Sequence, residues 1–183
     1  MNVHSLASLP KMLIDEYLPE YDFDERHAID VAASPETIYA AAKQIDFSES
    51  FIVRWLLRLR GMSVSRLTLD SFSHSKFKVL GEVPGREFLV GLAGRFWLPW
   101  GNLQDIDAAS FRKFDRPGFA KAVWNFSVEK DGNGSHLSTE TRIKCLDASS
   151  RRSFGFYWTF IQPFSGLIRM EMLRSIKRKA ETL

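Results

Sequence analysis

Cysteine is almost missing from this chain. Cys145 stands alone among 183 residues, which excludes an internal disulfide and any cysteine-built zinc site. Long apolar runs are missing too: the best stretch, Phe154 to Leu173, is interrupted by Gln162, Pro163, Arg169 and Glu171, and is no membrane span. The first residues, MNVHSLASLPKMLIDEYLPEYD, hold no continuous apolar segment and turn acidic quickly, which argues against a secretory signal. The glycosylation sequons at Asn125 and Asn133 then carry no weight, and a cytoplasmic location is the expectation. Four histidines form no HExxH pair, so that kind of zinc site is excluded. Gly91-Leu-Ala-Gly94 is neither a phosphate-binding loop nor a dinucleotide fingerprint; small-residue packing or a turn explains it. No repeat, low-complexity tract or linker divides the chain. No cofactor and no metal are expected.

Aromatic residues are abundant: fifteen Phe, five Trp and four Tyr. That is more bulk than a core usually needs, and aromatics often line ligand pockets, although a well-filled core explains them equally well. The net charge of +3 hides an asymmetry. Residues 1–50 carry ten Asp and Glu against three Lys and Arg, whereas residues 150–183 carry seven Lys and Arg against two Glu. Arg174, Lys177, Arg178 and Lys179 fall at a helix C-terminus, where cations complement the macrodipole. Nucleic acid is not an expected partner, because the aromatics are not interleaved with the basic residues.

Met12, Leu13, Ile14, Tyr17 and Leu18 suit a short helix stopped by Pro19. Arg26 to Ala32 alternates as a strand, with Ile29 and Val31 on one face. Ser34-Pro35-Glu36-Thr37 is a helix start: Ser34 at the N-cap, Pro35 at the first turn, Glu36 complementing the dipole. A second helix is expected over Glu49 to Arg60, with Ile52, Trp55, Leu56 and Leu59 on one face. Lys76 to Val83 and Glu87 to Ala93 read as strands around Pro84-Gly85. Gly94 to Trp100, rich in aromatics, is expected to continue the sheet, and Asp105 to Gly118 reads as short strand and loop. From Phe119 the alternation sharpens into a long hairpin turning at Asp131-Gly132-Asn133-Gly134 and ending near Cys145. Phe154, Tyr157, Trp158, Ile161, Ile168, Met172 and Ile176 then recur at helical spacing, with Pro163 expected to kink or divide the helix.

The step from strand 26–32 into Ala33-Ser34-Pro35-Glu36-Thr37-Ile38-Tyr39, and the run Leu137-Ser138-Thr139-Glu140-Thr141-Arg142-Ile143 leading into Phe154 through Ile176, resemble the START/Bet v 1-like (SRPBCC) superfamily. The resemblance covers residues 26 to 180 and lies in the order of elements more than in any motif. It implies an α+β helix-grip fold: a curved antiparallel β-sheet with two short helices and a long C-terminal helix over its concave face. The helix-grip domain is expected over residues 25–183, behind an N-terminal extension of residues 1–24. The resemblance also implies a cavity for an apolar ligand such as a lipid or polyketide.

Ala122, Trp124 and Phe126 on the hairpin, Thr139 and Thr141 opposite, and Tyr157, Trp158 and Ile161 on the helix are the expected cavity lining. An apolar small molecule is the expected partner. Three functions are weighed: a binder of such a molecule, a polyketide cyclase-like enzyme, and a module contacting another protein or a membrane surface. No full catalytic set can be assembled; Tyr157 and His74 are the candidates for the enzyme reading. The third reading rests on the acidic N-terminal extension, the basic helix end and the aromatics Phe154, Phe156, Phe160 and Phe164. Glu140 and Arg142 share a strand face, expected to be the outer one, where a solvated charge pair is the plain explanation.

Overall fold

The structure, a computed structural model, describes residues 11–44, 46, 77–98 and 101–183. The expected helix at 49–60, His74 and the end of the aromatic stretch at 99–100 lie outside those residues. The described elements run α1 (Leu13–Tyr17), β1 (Phe23–Val31), α2 (Pro35–Gln44), β2 (Lys78–Val83), β3 (Glu87–Gly94), α3 (Ala108–Lys113), β4 (Ala120–Asp131), β5 (Gly134–Cys145) and α4 (Ala148–Ala180). The five strands make one antiparallel sheet in the order β1-β5-β4-β3-β2, and α4 lies along β1 and β5 and meets α2. This is an α+β helix-grip fold.

The expected hairpin is its spine. Asp131 pairs with Gly134, leaving Gly132-Asn133 as a two-residue turn. Gly132 takes φ +54°, a left-handed conformation that a side chain resists. Period-2 alternation sets the faces. On the inner face, toward α4, lie Ala120, Ala122, Trp124, Phe126 and Val128 with Leu137, Ile143 and Cys145. Phe88, Val90 and Leu92 of β3 extend this core, which α4 closes with Phe154, Met172, Leu173 and Ile176. Asp147 starts α4 in a reciprocal capping box, its carboxylate accepting from Ser150 N at 2.6 Å while Ser150 Oγ accepts from Asp147 N. Pro163 sits inside one continuous helix rather than dividing it. It has no N–H to donate back to Thr159, so the backbone bonding is thinned there.

The outer face holds a second core. Ile14 and Leu18 from the N-terminal segment pack with Leu80, Leu89, Ala93, Val123, Ile106 and Phe111. Glu87 is buried beneath this cover, where its carboxylate accepts from Leu13 N at 2.8 Å and from Asn125 Nδ2 at 2.7 Å. Asn125 Oδ1 in turn accepts from Glu140 N. Leu80 Cδ1 comes so close to Gly91 that a Cβ there would sit 2.3 Å from it, so close packing explains this glycine.

Three expectations need correcting. The sheet does not run on beyond Gly94: Arg95 to Leu98 form a turn, with Leu98 N donating to the Arg95 carbonyl at 2.8 Å. Residues 108–113 form α3, not strand or loop, capped by Asp107 and Ser110 in the same reciprocal manner as α4. Glu140 and Arg142 do face outward, but they are not solvated. The Arg142 guanidinium is buried under the N-terminal segment, paired with Glu140 and with Asp15 of α1, and donating to the Leu18 carbonyl. Its Cζ lies 4.8 Å from the centre of the Tyr21 ring.

Candidate ligand-binding site

The strongest chemistry on the inner face comes from β1. Its odd residues, Phe23, Glu25, His27, Ile29 and Val31, face α4, while Asp24, Arg26 and Asp30 are exposed. The apolar ends of the strand fix this register, so the pleat carries Glu25 and His27 inward with them. The Glu25 side chain keeps only 9% of its exposure and that of His27 24%. Glu25 pairs across the sheet with Thr141, which pairs onward with Trp124. His27 pairs with Thr139 in the next row.

These polar atoms are under-bonded. His27 Nε2 lies 3.2 Å from Glu25 Oε1 without hydrogen-bond alignment. Glu25 Oε2, His27 Nε2 and Thr141 Oγ1 are all buried and have no hydrogen-bond partner. Buried polar groups are ordinarily bonded, and each exception costs about 1–3 kcal/mol. Thr139 makes the contrast: its hydroxyl donates to the Asn125 carbonyl at 2.5 Å. A carboxylate, an imidazole and a hydroxyl in adjacent rows offer two acceptors and two donors to one small polar group.

α4 closes over this cluster at Gly166, the second of its two glycines. A Cβ on Gly166 would stand 3.0 Å from Glu25 Oε1 and 3.4 Å from His27 Nε2. The glycine lies three residues beyond Pro163, so the helix is thinnest in side chains where it crosses the polar cluster and weakest in backbone bonding just before it. Arg169 sits one turn on from Ser165, its guanidinium 5.1 Å from the centre of the Trp124 ring.

Aromatic rings wall one side. Phe154 of α4 contacts Phe23 at 5.1 Å, Phe96 at 5.6 Å, Trp97 at 5.8 Å and Trp158 at 5.7 Å, centroid to centroid. Trp97 Nε1 donates to Ser153 Oγ, tying the β3–α3 connection to the start of α4. On the far side Phe77 meets Trp124 at 5.4 Å and Phe88 meets Phe126 at 5.1 Å.

Of the expected lining residues, Ala122, Trp124, Phe126, Thr139 and Thr141 lie buried together on the inner face of β4 and β5. Tyr157 and Trp158 are half-buried and belong to the aromatic group around Phe154. Ile161 is half-buried on α4. Glu25 and His27 were missed by sequence reasoning, although they share parity with Ile29 and Val31. A shallow surface depression of about 420 Å³ lies elsewhere, between the β1 end, the β4–β5 turn and the α4 C-terminus. Its charges are largely engaged: Lys177 donates to the Asp30 carbonyl and Glu181 accepts from Ala32 N. Among the described residues no cluster has the composition of a metal site, and no helix is long and apolar enough to cross a membrane.

A five-stranded antiparallel sheet gripping a long helix is the helix-grip arrangement that the sequence resemblance implies. No protein-family model matches the chain, and no curated protein matches it in sequence. Among solved structures it is similar to TTHA0849 from Thermus thermophilus, with 10% identity, 87% of this chain and 98% of that chain covered, and a TM-score of 0.39. It is similar also to CalU16 from Micromonospora echinospora, at 12% identity, 88% and 96% coverage and a TM-score of 0.32. A third is Ara h 8.0201, at 9% identity, 88% and 99% coverage and a TM-score of 0.31.

Proposed function

We propose that the protein binds an apolar molecule between its sheet and α4, and that it anchors a hydroxyl group of that molecule on Glu25, His27 and Thr141. The observation that carries this reading is the trio of buried polar atoms without hydrogen-bond partners in an otherwise aromatic interior. A hydroxyl suits the trio best. It donates to Glu25 Oε2 and accepts from His27 Nε2–H or the Thr141 hydroxyl, removing the cost of the unmade bonds. Trp124, Phe126, Ala122, Tyr157, Trp158 and Ile161 are the proposed apolar surroundings, with Thr139 supporting the β4–β5 rows. Entry requires α4 to bend around Thr159–Pro163, where its backbone bonding is thinnest, just ahead of Gly166.

The test is a calorimetric titration with an alcohol and a carboxylic acid that share one alkyl chain. The alcohol is expected to bind at least about tenfold more tightly, because a second carboxylate beside Glu25 meets like charge in a buried site. Glu25→Gln should narrow that preference. Equal binding of the two amphiphiles, or binding of neither, would set this reading aside.

A further inference from the structure

The face of α4 turned away from the sheet carries a second unexplained feature. Phe156, Phe160, Phe164 and Leu167 are 73%, 60%, 41% and 58% exposed. At about 100° per residue these four fall within an arc of about 80° and a ridge of about 16 Å, on the side opposite Phe154, Leu173 and Ile176. Phe156 and Phe160 meet edge-on at 5.1 Å, centroid to centroid, at the N-terminal end of this ridge. Large apolar side chains left together on a surface mark an interaction site.

The charges around the ridge select the partner. Residues 148–170 contain no Asp or Glu; of their three arginines, Arg152 lies beside the ridge, while Arg151, paired with Asp22, and Arg169, over Trp124, lie on the side toward the sheet. Arg152 precedes Phe156 by one turn, and Arg174 follows two turns after Leu167 at the same angular position as Phe156; both are exposed. A second copy of the chain fits poorly. Both ends of the ridge are cationic, so either orientation of a paired helix brings like charges together. An anionic lipid surface fits both parts: exposed Phe and Leu enter the interface between headgroups and acyl chains, while arginines meet anionic headgroups.

We infer that the outward ridge of α4 docks the protein on anionic bilayers. This places the membrane contact on the same helix that covers the Glu25–His27 cluster, on its opposite side. The experiment is co-sedimentation of the full chain with vesicles of phosphatidylcholine alone or mixed with phosphatidylserine. Binding is expected to the mixed vesicles, to weaken as salt is raised, and to fall at least about tenfold in the double variant Phe156→Ser/Phe160→Ser. Arg152→Gln and Arg174→Gln should each cost roughly fivefold. Because all four positions are exposed, the variants should keep the parent's unfolding midpoint, which separates lost docking from lost fold. Absence of binding by the parent, or undiminished binding by the Phe double variant, would overturn the inference. So would a parent dimer in analytical ultracentrifugation that the same double variant converts to monomer.

Discussion

Thr139 and Thr141 face the same side of β5, two residues apart, and removing their hydroxyls should change stability in opposite directions. Thr139 is 1% exposed and bonds the Asn125 carbonyl where the β4–β5 register lacks a backbone pair, between Trp124↔Thr141 and Ser127↔Ser138. Thr139→Val loses that bond, worth about 1 kcal/mol, and leaves the carbonyl unpaired, for a total loss of about 1–3 kcal/mol. Thr141 is 7% exposed and its Oγ1 bonds nothing. Thr141→Val exchanges an unsatisfied hydroxyl for a methyl group of nearly the same shape, so it should gain about 1–2 kcal/mol. For a chain of this length that is a rise of about 2–8 °C in Tm. Urea unfolding of the parent and both variants reads the effect directly, provided the slopes agree. The same Thr141→Val variant should bind the hydroxyl-bearing ligand less tightly while being more stable, as expected where function retains an unsatisfied group. A loss of 1 kcal/mol or more from Thr141→Val would refute the reasoning, because it would mean the hydroxyl already has a structural partner.

Further expectations follow from the other buried groups. Arg142→Ala should cost about 3–5 kcal/mol, since it leaves Glu140 in a nearly closed site without its cation; deleting residues 1–20 opens that site to water and should shrink the penalty in a double-mutant cycle. Burial, reinforced by the Asp22 carboxylate, pushes the Cys145 thiol from 9.0 up to about 12. The folded protein therefore keeps a proton that the unfolded chain releases, and stability should decline as pH rises from about 9 toward 12. Cys145→Ala should remove that part of the slope, and the native thiol should resist maleimide at pH 8 until the protein is unfolded. Gly166→Ala improves helix propensity by about 1 kcal/mol but presses a methyl group onto Glu25. Folding stability should change little, while calorimetry should show weakened ligand binding.

Much of the fold was legible because period-2 alternation is hard to mistake. Trp124 and Phe126 against Thr139 and Thr141, closed by Asp-Gly-Asn-Gly, admits few folds other than a hairpin, and Ser34-Pro35-Glu36 placed α2. Alternation says which face a residue takes but not whether that face is covered. Arg142 was assigned to the outer face and still misjudged as solvated, because the packing of Ile14 and Leu18 over it is a tertiary fact. α3 escaped notice since its capping box uses Ser110 where Glu or Gln is the familiar signal. Glu25 and His27 were overlooked for a different reason. Their parity with Ile29 and Val31 put them inside, but charge argues for the surface unless a site needs it buried. The exposed ridge on α4 was visible as a sequence of aromatics; only the helix orientation separates Phe154, which is core, from Phe156, Phe160 and Phe164, which are not.

The most direct measurement is native mass spectrometry of the protein purified from its own host, beside a Glu25→Leu variant prepared the same way, followed by denaturing extraction. The parent should carry a co-purifying apolar molecule bearing a hydroxyl group. The variant, no less stable, should arrive without it. A parent that carries no small molecule, or a variant that retains the same one undiminished, would contradict a ligand anchored on Glu25.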